Sequence, residues 1–400
     1  MTHPPSLTPI SANPNTHLMD IAQITSDTYA NGEYVQEISQ QYFANAHYDW
    51  DVTQLIWDGD QLIHHWGVWC YPMRIGTVQL KVAGIGAVVT REPYRKQGLM
   101  RKAALASFQA MAAYEYDLTI LRGRYYAQFG FVRAWNYVTY RLQADEIPSL
   151  TAALEFEYYP LGPEHVADIT NLYNDFYADF SGTAVRPTYG MLNTGDMNAF
   201  GWLDENGHLR GYVRAKPTED EKSLQCVEAV GDVDTCFAIL ADLFNKETYE
   251  TLSFFSLPHH HPLLQRVRRG ACVVKNQYFR HNGWQVRLVN LHGALQKLRP
   301  LLQQRLWHSD LIGWVGDLGL DAGDQKATLT INKGRIQVNS YSPQKHIVQA
   351  GPAMARLLIG SDEPTEILQQ ESIHCSGLAQ RLVEILFPNM HPMLSHWDEY

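Results

Sequence analysis

The stretch Gly84-Ile-Gly-Ala-Val-Val-Thr-Arg-Glu-Pro-Tyr-Arg-Lys-Gln-Gly98 predicts a buried strand, then a short basic loop, then the start of a helix. Alanine-rich residues 98–114 continue the pattern as that helix. Arg95 and Lys96 add positive charge, and Gly98 leaves the backbone open to close approach. Because a helix N-terminus carries free N–H groups and the positive end of the helix dipole, the stretch predicts an anion site suited to a pyrophosphate.

The strand before this loop predicts a second kind of contact. Residues Ala87 to Thr90 can offer backbone groups to an extended, amide-containing arm, as a neighbouring strand would. Pantetheine is such an arm. Other phosphate motifs do not fit, because no Gly-Lys-Ser/Thr sequence ends the loop and position 89 of the Gly84-x-Gly86 run is valine. An ordinary surface strand–turn–helix remains the alternative for this stretch alone.

A second motif, Tyr125-Tyr126-Ala127-Gln128-Phe129-Gly130-Phe131, follows the next predicted strand, 118–121. Together the two motifs resemble the GNAT superfamily of N-acetyltransferases. Those proteins have Arg/Gln-x-x-Gly-x-Gly/Ala at the phosphate loop and an aromatic-Tyr-x-x-x-Gly-Phe segment after it. Here the loop is Arg95-Lys96-Gln97-Gly98-Leu99-Met100, with Met100 in place of the small residue. The same departure occurs in the Eis-like (enhanced intracellular survival) acetyltransferases, whose loop is similar to 95–101.

The resemblance implies acetyl-CoA as co-substrate, with no metal. The residues matching the CoA-binding segments are Ala87, Val88, Val89, Thr90, Arg95, Lys96, Gln97, Gly98, Leu99 and Met100. It also implies that the N–H of Val88 polarises the thioester and that Tyr126 is the general acid, the alternative for Tyr126 being a core aromatic under the cofactor. The terminal carboxylate of Tyr400 matches the base of Eis-like enzymes, although Asp398 and Glu399 could instead recruit a cationic amine.

The expected activity is transfer of an acetyl group from acetyl-CoA to a primary amine of a small or cationic acceptor, directly within a ternary complex. One departure concerns the acceptor: Leu121-Arg122-Gly123 stands where the relatives have Ser-Glu before Gly, so a different acceptor pocket is expected. Two alternatives remain open, a non-catalytic lipid- or partner-binding protein on this scaffold and an acyltransferase using a longer acyl-CoA.

The element pattern predicts an α+β protein of several domains. Hairpin signals at Asp58-Gly59 and Asn206-Gly207, each followed by a strand and a helix, indicate an internal duplication whose second copy lacks the basic loop. The resemblance implies tandem GNAT-like mixed-sheet domains followed by a sterol-carrier-protein-like α/β domain. The predicted divisions are a flexible leader over 1–18, a catalytic domain over 19–147, a second domain over 148–284 and a third over 285–400.

Composition narrows the function classes. The 400 residues carry a formal net charge of −10, which disfavours nucleic-acid binding. Five scattered cysteines and the lack of a long apolar run predict a cytoplasmic protein without a membrane span, and the relatives predict a homo-oligomer. His259-His260-His261, between two prolines, is predicted to be a solvated loop rather than a metal site. His64 and His65 are open candidates for acid–base groups, and Trp57, Trp66 and Trp69 are expected in the core.

Overall fold

The computed structural model describes residues 7–44, 47–151, 157–187, 198–279, 282–370, 373–395 and 398. They form a mixed α+β protein, which confirms the predicted fold class at that level. The described residues fall into two compact units, one built from 7–134 with 282–390 and the other from 135–279 with 391–398. Within the described ranges no helix has the length and apolar character needed to cross a bilayer.

The strands pair in three sheets, and the helices connect or flank them. The strands are β1 (Ile10–Ser11), β2 (Gln54–Asp58), β3 (Gln61–Ile75), β4 (Val78–Thr90), β5 (Leu118–Arg122), β6 (Val132–Arg133), β7 (Tyr137–Gln143), β8 (Tyr159–Pro160), β9 (Ala199–Leu203), β10 (Leu209–Pro217), β11 (Ser223–Val230), β12 (Thr251–Phe255), β13 (Cys272–Gln277), β14 (Trp284–Leu288), β15 (Val315–Asp321), β16 (Lys326–Asn332), β17 (Arg335–Ser340), β18 (His346–Gln349) and β19 (His374–Cys375). The helices are α1 (Pro14–Tyr29), α2 (Val35–Ala44), α3 (Leu99–Ala113), α4 (Ile147–Leu150), α5 (Val166–Phe176), α6 (Val233–Asn245), α7 (Pro262–Val267), α8 (Leu291–Trp307), α9 (Met354–Ile359), α10 (Pro364–Leu368) and α11 (Ala379–Leu386).

The first sheet has the order β1-β2-β3-β4-β5-β14-β6. The Asp58-Gly59 turn joins β2 to β3 as predicted, and β3 pairs along most of β4. β4 and β5 are parallel, so the chain must cross over between them, and α3 makes that crossing. The apolar face of α3 packs on the sheet through residues such as Ala104, Phe108 and Met111. This crossover places the basic loop at one end of β4.

The second sheet, in the other unit, has the order β13-β7-β12-β11-β10-β9-β8. The predicted Asn206-Gly207 turn joins β9 to β10, and α6 connects β11 to its parallel neighbour β12. Three antiparallel strands, a crossover helix and a parallel strand therefore follow one another in the same order as in the first sheet. The core of this unit packs around the apolar face of α6, including Phe237, Leu240 and Phe244.

The third sheet has the order β17-β16-β15-β18-β19 and belongs to the first unit. A tight turn at Lys333-Gly334 joins β16 to β17. The long helix α8 packs against β17 and also against β4. A salt bridge of 2.6 Å from Lys297 of α8 to the buried carboxylate of Asp117 ties this part to the first sheet.

Three predicted boundaries differ from the structure. Residues 10–11 pair with β2, and α1 begins at Pro14, so the end of the predicted leader 1–18 is ordered secondary structure. Proline is well suited to the first helical position, where its missing N–H costs nothing. β7, predicted in the first domain, pairs within the second sheet, and β14, predicted almost wholly in the third domain, pairs within the first sheet. A strand's own sequence does not specify which distant strand it pairs with.

The triple-histidine segment is only partly the solvated loop predicted. His261 is buried, its Nδ1 accepts a hydrogen bond from the N–H of Leu263 at the start of α7, and its Nε2 donates to the carbonyl of Ala229. His259 and His260 remain partly or fully exposed. The segment therefore combines a structural cap with two accessible imidazoles.

Candidate active site

The strand β4 separates from its parallel neighbour near its end. In the described residues the β4–β5 pairing ends at Ile85 and Leu121, whereas pairing with β3 continues to Thr90. Residues 82–85 are buried, but 86–88 are partly accessible. Ala87 has a φ of +44°, an uncommon conformation for a residue with a Cβ. The backbone of 86–90 is thus irregular, and β5 does not pair with it in the described residues.

A buried histidine of the neighbouring strand β3, His65, contacts this irregular segment of β4. Nδ1 of His65 lies 2.8 Å from the carbonyl oxygen of Ala87, and Nε2 lies 2.8 Å from the hydroxyl of Tyr48. Burial lowers the pKa of His65 to about 4, so the ring is neutral at neutral pH. Because a carbonyl only accepts, Nδ1 carries the proton and donates to Ala87, while Nε2 accepts from Tyr48. This neutral tautomer fixes the kink of β4.

Glycine at position 67 permits this close packing. A Cβ on Gly67 would lie 2.8 Å from Cε1 of His65 and 2.9 Å from the carbonyl oxygen of Gly86. Both distances are shorter than any ordinary contact, so a side chain here would displace the ring or the strand.

The preceding residue, His64, also forms a hydrogen bond to β4, with its Nδ1 2.8 Å from the hydroxyl of Thr90.

The basic loop and the start of α3 form an open surface. Lys96 and Gly98 both have positive φ, +63° and +77°, which turns the chain from the strand into the helix. Residues 95–98 are exposed, and a Cβ on Gly98 would meet nothing within 4 Å. Among the described residues no side chain caps α3, and its first turn contains no acidic residue. Its free N–H groups and dipole therefore face solvent beside Arg95 and Lys96, as an anion site requires.

Tyr126 stands at the start of a short 3-10 turn after β5. Its ring packs edge-on against Trp66 and Phe131, with centroid distances of 6.0 and 6.2 Å. Gly123, with a φ of +143°, makes room for it, since a Cβ there would lie 2.6 Å from Cε2 of the ring. Burial, with a smaller effect of nearby Tyr29, raises the pKa of Tyr126 to about 12. The phenol is therefore protonated at neutral pH.

The fold brings several of the predicted residues to one place. Val88, Met100 and Tyr126 are partly buried and pack against the same hydrophobic cluster of the first sheet, which also contains Leu99. Arg95 and Gln97 hold the loop through hydrogen bonds from Nε of Arg95 to the carbonyl of Thr90, 3.2 Å, and from Nε2 of Gln97 to that of Pro93, 3.1 Å. The kinked strand, the loop and the phenol thus lie around one core.

Tyr400, the predicted base, lies outside the described residues. Sequence reasoning did not assign roles to Gly67 and Gly123, and it left His65 open. A glycine within a strand often indicates that another backbone or a ring approaches closely, and Gly67 could have been identified from this pattern. Trp66 and Trp69 are buried, so core packing was the correct prediction for both.

Arg122, the residue that differs from the relatives before Gly123, has its guanidinium over the ring of Trp284, 5.6 Å from the ring centroid.

Comparison with known proteins identifies a family match in the first part of the chain. Residues 13–134 match the sequence profile of the acetyltransferase (GNAT) domain. No functionally curated protein matches the chain in sequence.

Solved structures share the fold over nearly the whole chain. A probable N-acyltransferase from Enterococcus faecalis is 16% identical with a TM-score of 0.76, and a GCN5-related N-acetyltransferase from Anabaena variabilis is 15% identical with a TM-score of 0.75. Eis1 from Mycobacterium abscessus is 14% identical with a TM-score of 0.67. Each comparison covers 97% of this chain and 98% of the other. Residues 13–134 therefore carry a GNAT acetyltransferase domain, within a chain whose overall fold is similar to those of Eis1 and of N-acyltransferases.

Proposed function

We propose that this protein is an N-acetyltransferase that moves the acetyl group of acetyl-CoA directly to a primary amine of a small or cationic acceptor. The observation that carries the proposal is the gap where β4 leaves β5 beyond Ile85. The kinked residue Ala87, the open start of α3 and the phenol of Tyr126 belong to the same part of the first sheet. One extended molecule with a diphosphate at one end and a thioester at the other suits that combination.

In the proposed complex the diphosphate lies on the first N–H groups of α3. Gly98 allows it to approach, and Arg95 and Lys96 supply positive charge. The pantetheine arm extends along 86–90 and takes hydrogen bonds from the strand edge that β5 does not cover. The acetyl group then reaches Val88, whose N–H polarises the thioester carbonyl and stabilises the oxyanion of the tetrahedral intermediate.

The amine attacks the carbonyl carbon, and the carbon–sulfur bond breaks with a proton moving to the sulfur. We assign that proton to Tyr126. With a tyrosine pKa of about 12 and a free thiol near 8.5, the transfer is uphill by roughly 5 kcal/mol in the empty site. The same burial raises the pKa of the departing thiol, because a desolvated thiolate holds a proton more strongly. The difference between the pKa values of the phenol and the thiol is therefore smaller in the site than in water.

The base that takes the proton from the amine is proposed to be the terminal carboxylate of Tyr400, on the resemblance to Eis-like enzymes. Arg122 places a positive charge one residue before Gly123. We therefore propose that the acceptor pocket differs from that of the Eis-like relatives, which have an acidic residue at that position. The second sheet, which repeats the element order of the first, is proposed to be a GNAT-like domain without a CoA loop. The third sheet is proposed to be a sterol-carrier-like domain.

Calorimetric titration with acetyl-CoA and CoA tests the binding step. Saturable binding to the full chain is expected, and its absence at millimolar ligand contradicts the proposal. Titrating acyl-CoAs of increasing chain length then distinguishes an acetyltransferase from an enzyme for longer acyl groups.

Catalysis is tested with a panel of primary amines by following release of the CoA thiol. Tyr126→Phe is expected to lower kcat by about 10²- to 10⁴-fold, the usual contribution of a general acid, with little change in the affinity for acetyl-CoA. Tyr114→Phe is the matched control, because Tyr114 is exposed at the end of α3. Equal rates for Tyr126→Phe and wild type would remove the phenol from the mechanism.

A further inference from the structure

Two accessible imidazoles of the triple-histidine loop meet a third from the end of the chain. His259, His260 and His391 each offer a ring nitrogen, and these atoms all lie within 4.8 Å of one another. The rings are in mutual contact, with centroid distances of 4.5 Å for His259 and His391, 4.9 Å for His259 and His260, and 5.2 Å for His260 and His391. This cluster was not predictable from sequence spacing, because His391 is distant from the other two along the chain.

We propose that His259, His260 and His391 form a binding site for one divalent transition-metal ion, of which zinc is the best match. Imidazole nitrogen is a preferred ligand of zinc, copper, nickel and cobalt, and three histidines with one water complete a tetrahedral zinc site. The site lies wholly within the unit formed by 135–279 and 391–398.

The separation of the nitrogens is compatible with this assignment. Three ligands at about 2.05 Å from a tetrahedral zinc are roughly 3.3 Å apart, so the rings must close by at most about 1.5 Å. His260 is exposed, and the other two are only partly buried, so side-chain rotation supplies that movement.

One nearby charge opposes the metal. A guanidinium nitrogen of Arg268 donates to the carbonyl of His259 and to the hydroxyl of Tyr140, at 2.6 and 2.8 Å. These contacts hold the cation on the backbone side of the loop. Its repulsion lowers the affinity of the site, and we expect a dissociation constant in the micromolar range rather than the tighter binding of a structural zinc finger.

Two contacts hold the backbone of the segment that follows His391. The N–H of Met393 donates to the carbonyl of Ser181 at 3.0 Å, and Gly182 allows this approach, because a Cβ there would lie 2.2 Å from the nitrogen of Met393. Further along, Arg186 bonds the buried carboxylate of Asp398 at 2.9 Å. A bound ion would thus connect the 258–262 loop to a segment, 391–398, that is already anchored at its other end.

Zinc titration of metal-stripped, tag-free protein by calorimetry tests the site. We expect one ion per chain, with at least about 100-fold weaker binding in His260→Ala and in His391→Asn. Asparagine is chosen at 391 because His391 has a φ of +46°, which asparagine tolerates. His208→Ala, which removes an exposed histidine of the same unit, is the control and is expected to bind as wild type does.

Cobalt substitution identifies the ligands. The expected spectrum is the visible absorption of four- or five-coordinate cobalt, without the near-ultraviolet band that thiolate ligands produce; this matters because the protein has five free cysteines. Both variants should lose that spectrum while keeping the circular dichroism of the wild type. Absence of zinc binding at high micromolar concentration, a thiolate band, or unchanged affinity in His260→Ala would overturn the proposal.

Discussion

Replacing Gly123 with alanine tests whether the position of the Tyr126 ring controls the reaction. The added Cβ would lie 2.6 Å from Cε2 and 3.2 Å from Cδ2 of Tyr126. Carbon atoms rest at about 3.5–4.0 Å, so the ring must move by about 1 Å. A displacement of that size in a reacting group costs on the order of 10² in rate, or about 3 kcal/mol of transition-state stabilisation.

The assay is kcat/KM for CoA release with the best amine of the panel. Gly59→Ala is the control, because Gly59 also has a positive φ, +57°, but a Cβ there meets nothing within 4 Å. Gly59→Ala should lose about 1–2 kcal/mol of unfolding free energy, the cost of a left-handed conformation for a residue with a Cβ. Gly123→Ala should lose more, about 1–3 kcal/mol from its φ of +143° and an additional amount from the contact with the ring. Only Gly123→Ala should lose activity.

A double-mutant cycle then shows whether the effect passes through the phenol. In a Tyr126→Phe background there is no hydroxyl to misplace, so Gly123→Ala should cost less than about 3-fold in kcat/KM. The reasoning fails if Gly123→Ala keeps wild-type kcat/KM. It also fails if the same 10²-fold loss persists when Tyr126 is already phenylalanine.

Three further predictions concern the loop, the buried histidine and the phenol. Arg95→Ala should raise the KM for acetyl-CoA roughly 10-fold with less effect on kcat, and the difference in KM between variant and wild type should be smaller at high salt. Arg299→Ala, which removes another exposed arginine, is the control. A decrease in kcat with no change in KM would contradict the role of Arg95 in binding the diphosphate. The pKa of His65 is lowered to about 4 in the folded protein, so the unfolded chain takes up a proton first as the pH falls below about 6.5. The contribution of His65 to the free energy of unfolding is therefore complete above pH 6.5 and declines toward pH 4, with a loss of about 2 kcal/mol at pH 5. Urea unfolding at pH 7 and pH 5 should show a smaller loss of stability in His65→Phe than in the wild type. An equal loss in both proteins would refute the lowered pKa of His65. Burial raises the pKa of Tyr126 to about 12, so at pH values below about 10 ionisation of the phenol should not reduce kcat. If the pH–rate profile of the wild type shows kcat decreasing near pH 9, and this decrease is absent in Tyr126→Phe, the pKa of about 12 is wrong.

Local elements were predictable where the sequence pattern is determined by neighbours along the chain. The helix predicted over 98–114 is α3, Leu99–Ala113, because its apolar positions recur at helical spacing after a glycine. The Asp58-Gly59, Asn206-Gly207 and Lys333-Gly334 turns were likewise predictable, since positive φ favours glycine within two or three residues of chain. The basic loop, its exposed position and the placement of Tyr126 after β5 followed from the same kind of local signal.

The supporting groups of the site were not predictable in this way. His65 contacts the carbonyl of Ala87 only because β3 and β4 pair with an irregular register between His65 and Gly67. Register depends on packing across the sheet, which no single strand encodes. The placement of β7 in the second sheet and of β14 in the first has the same origin.

The sequence by itself determined that a strand, a basic glycine turn and a helix follow one another here, and that a tyrosine comes after the next strand, since these features depend on short-range sterics and periodicity. The tertiary structure decided that the tyrosine ring occupies the space left by Gly123, that a neutral histidine fixes the kink at Ala87, and that His391 meets His259 and His260. Those contacts join residues far apart in the chain, and they form only when long-range burial and strand pairing offset the conformational entropy of bringing them together.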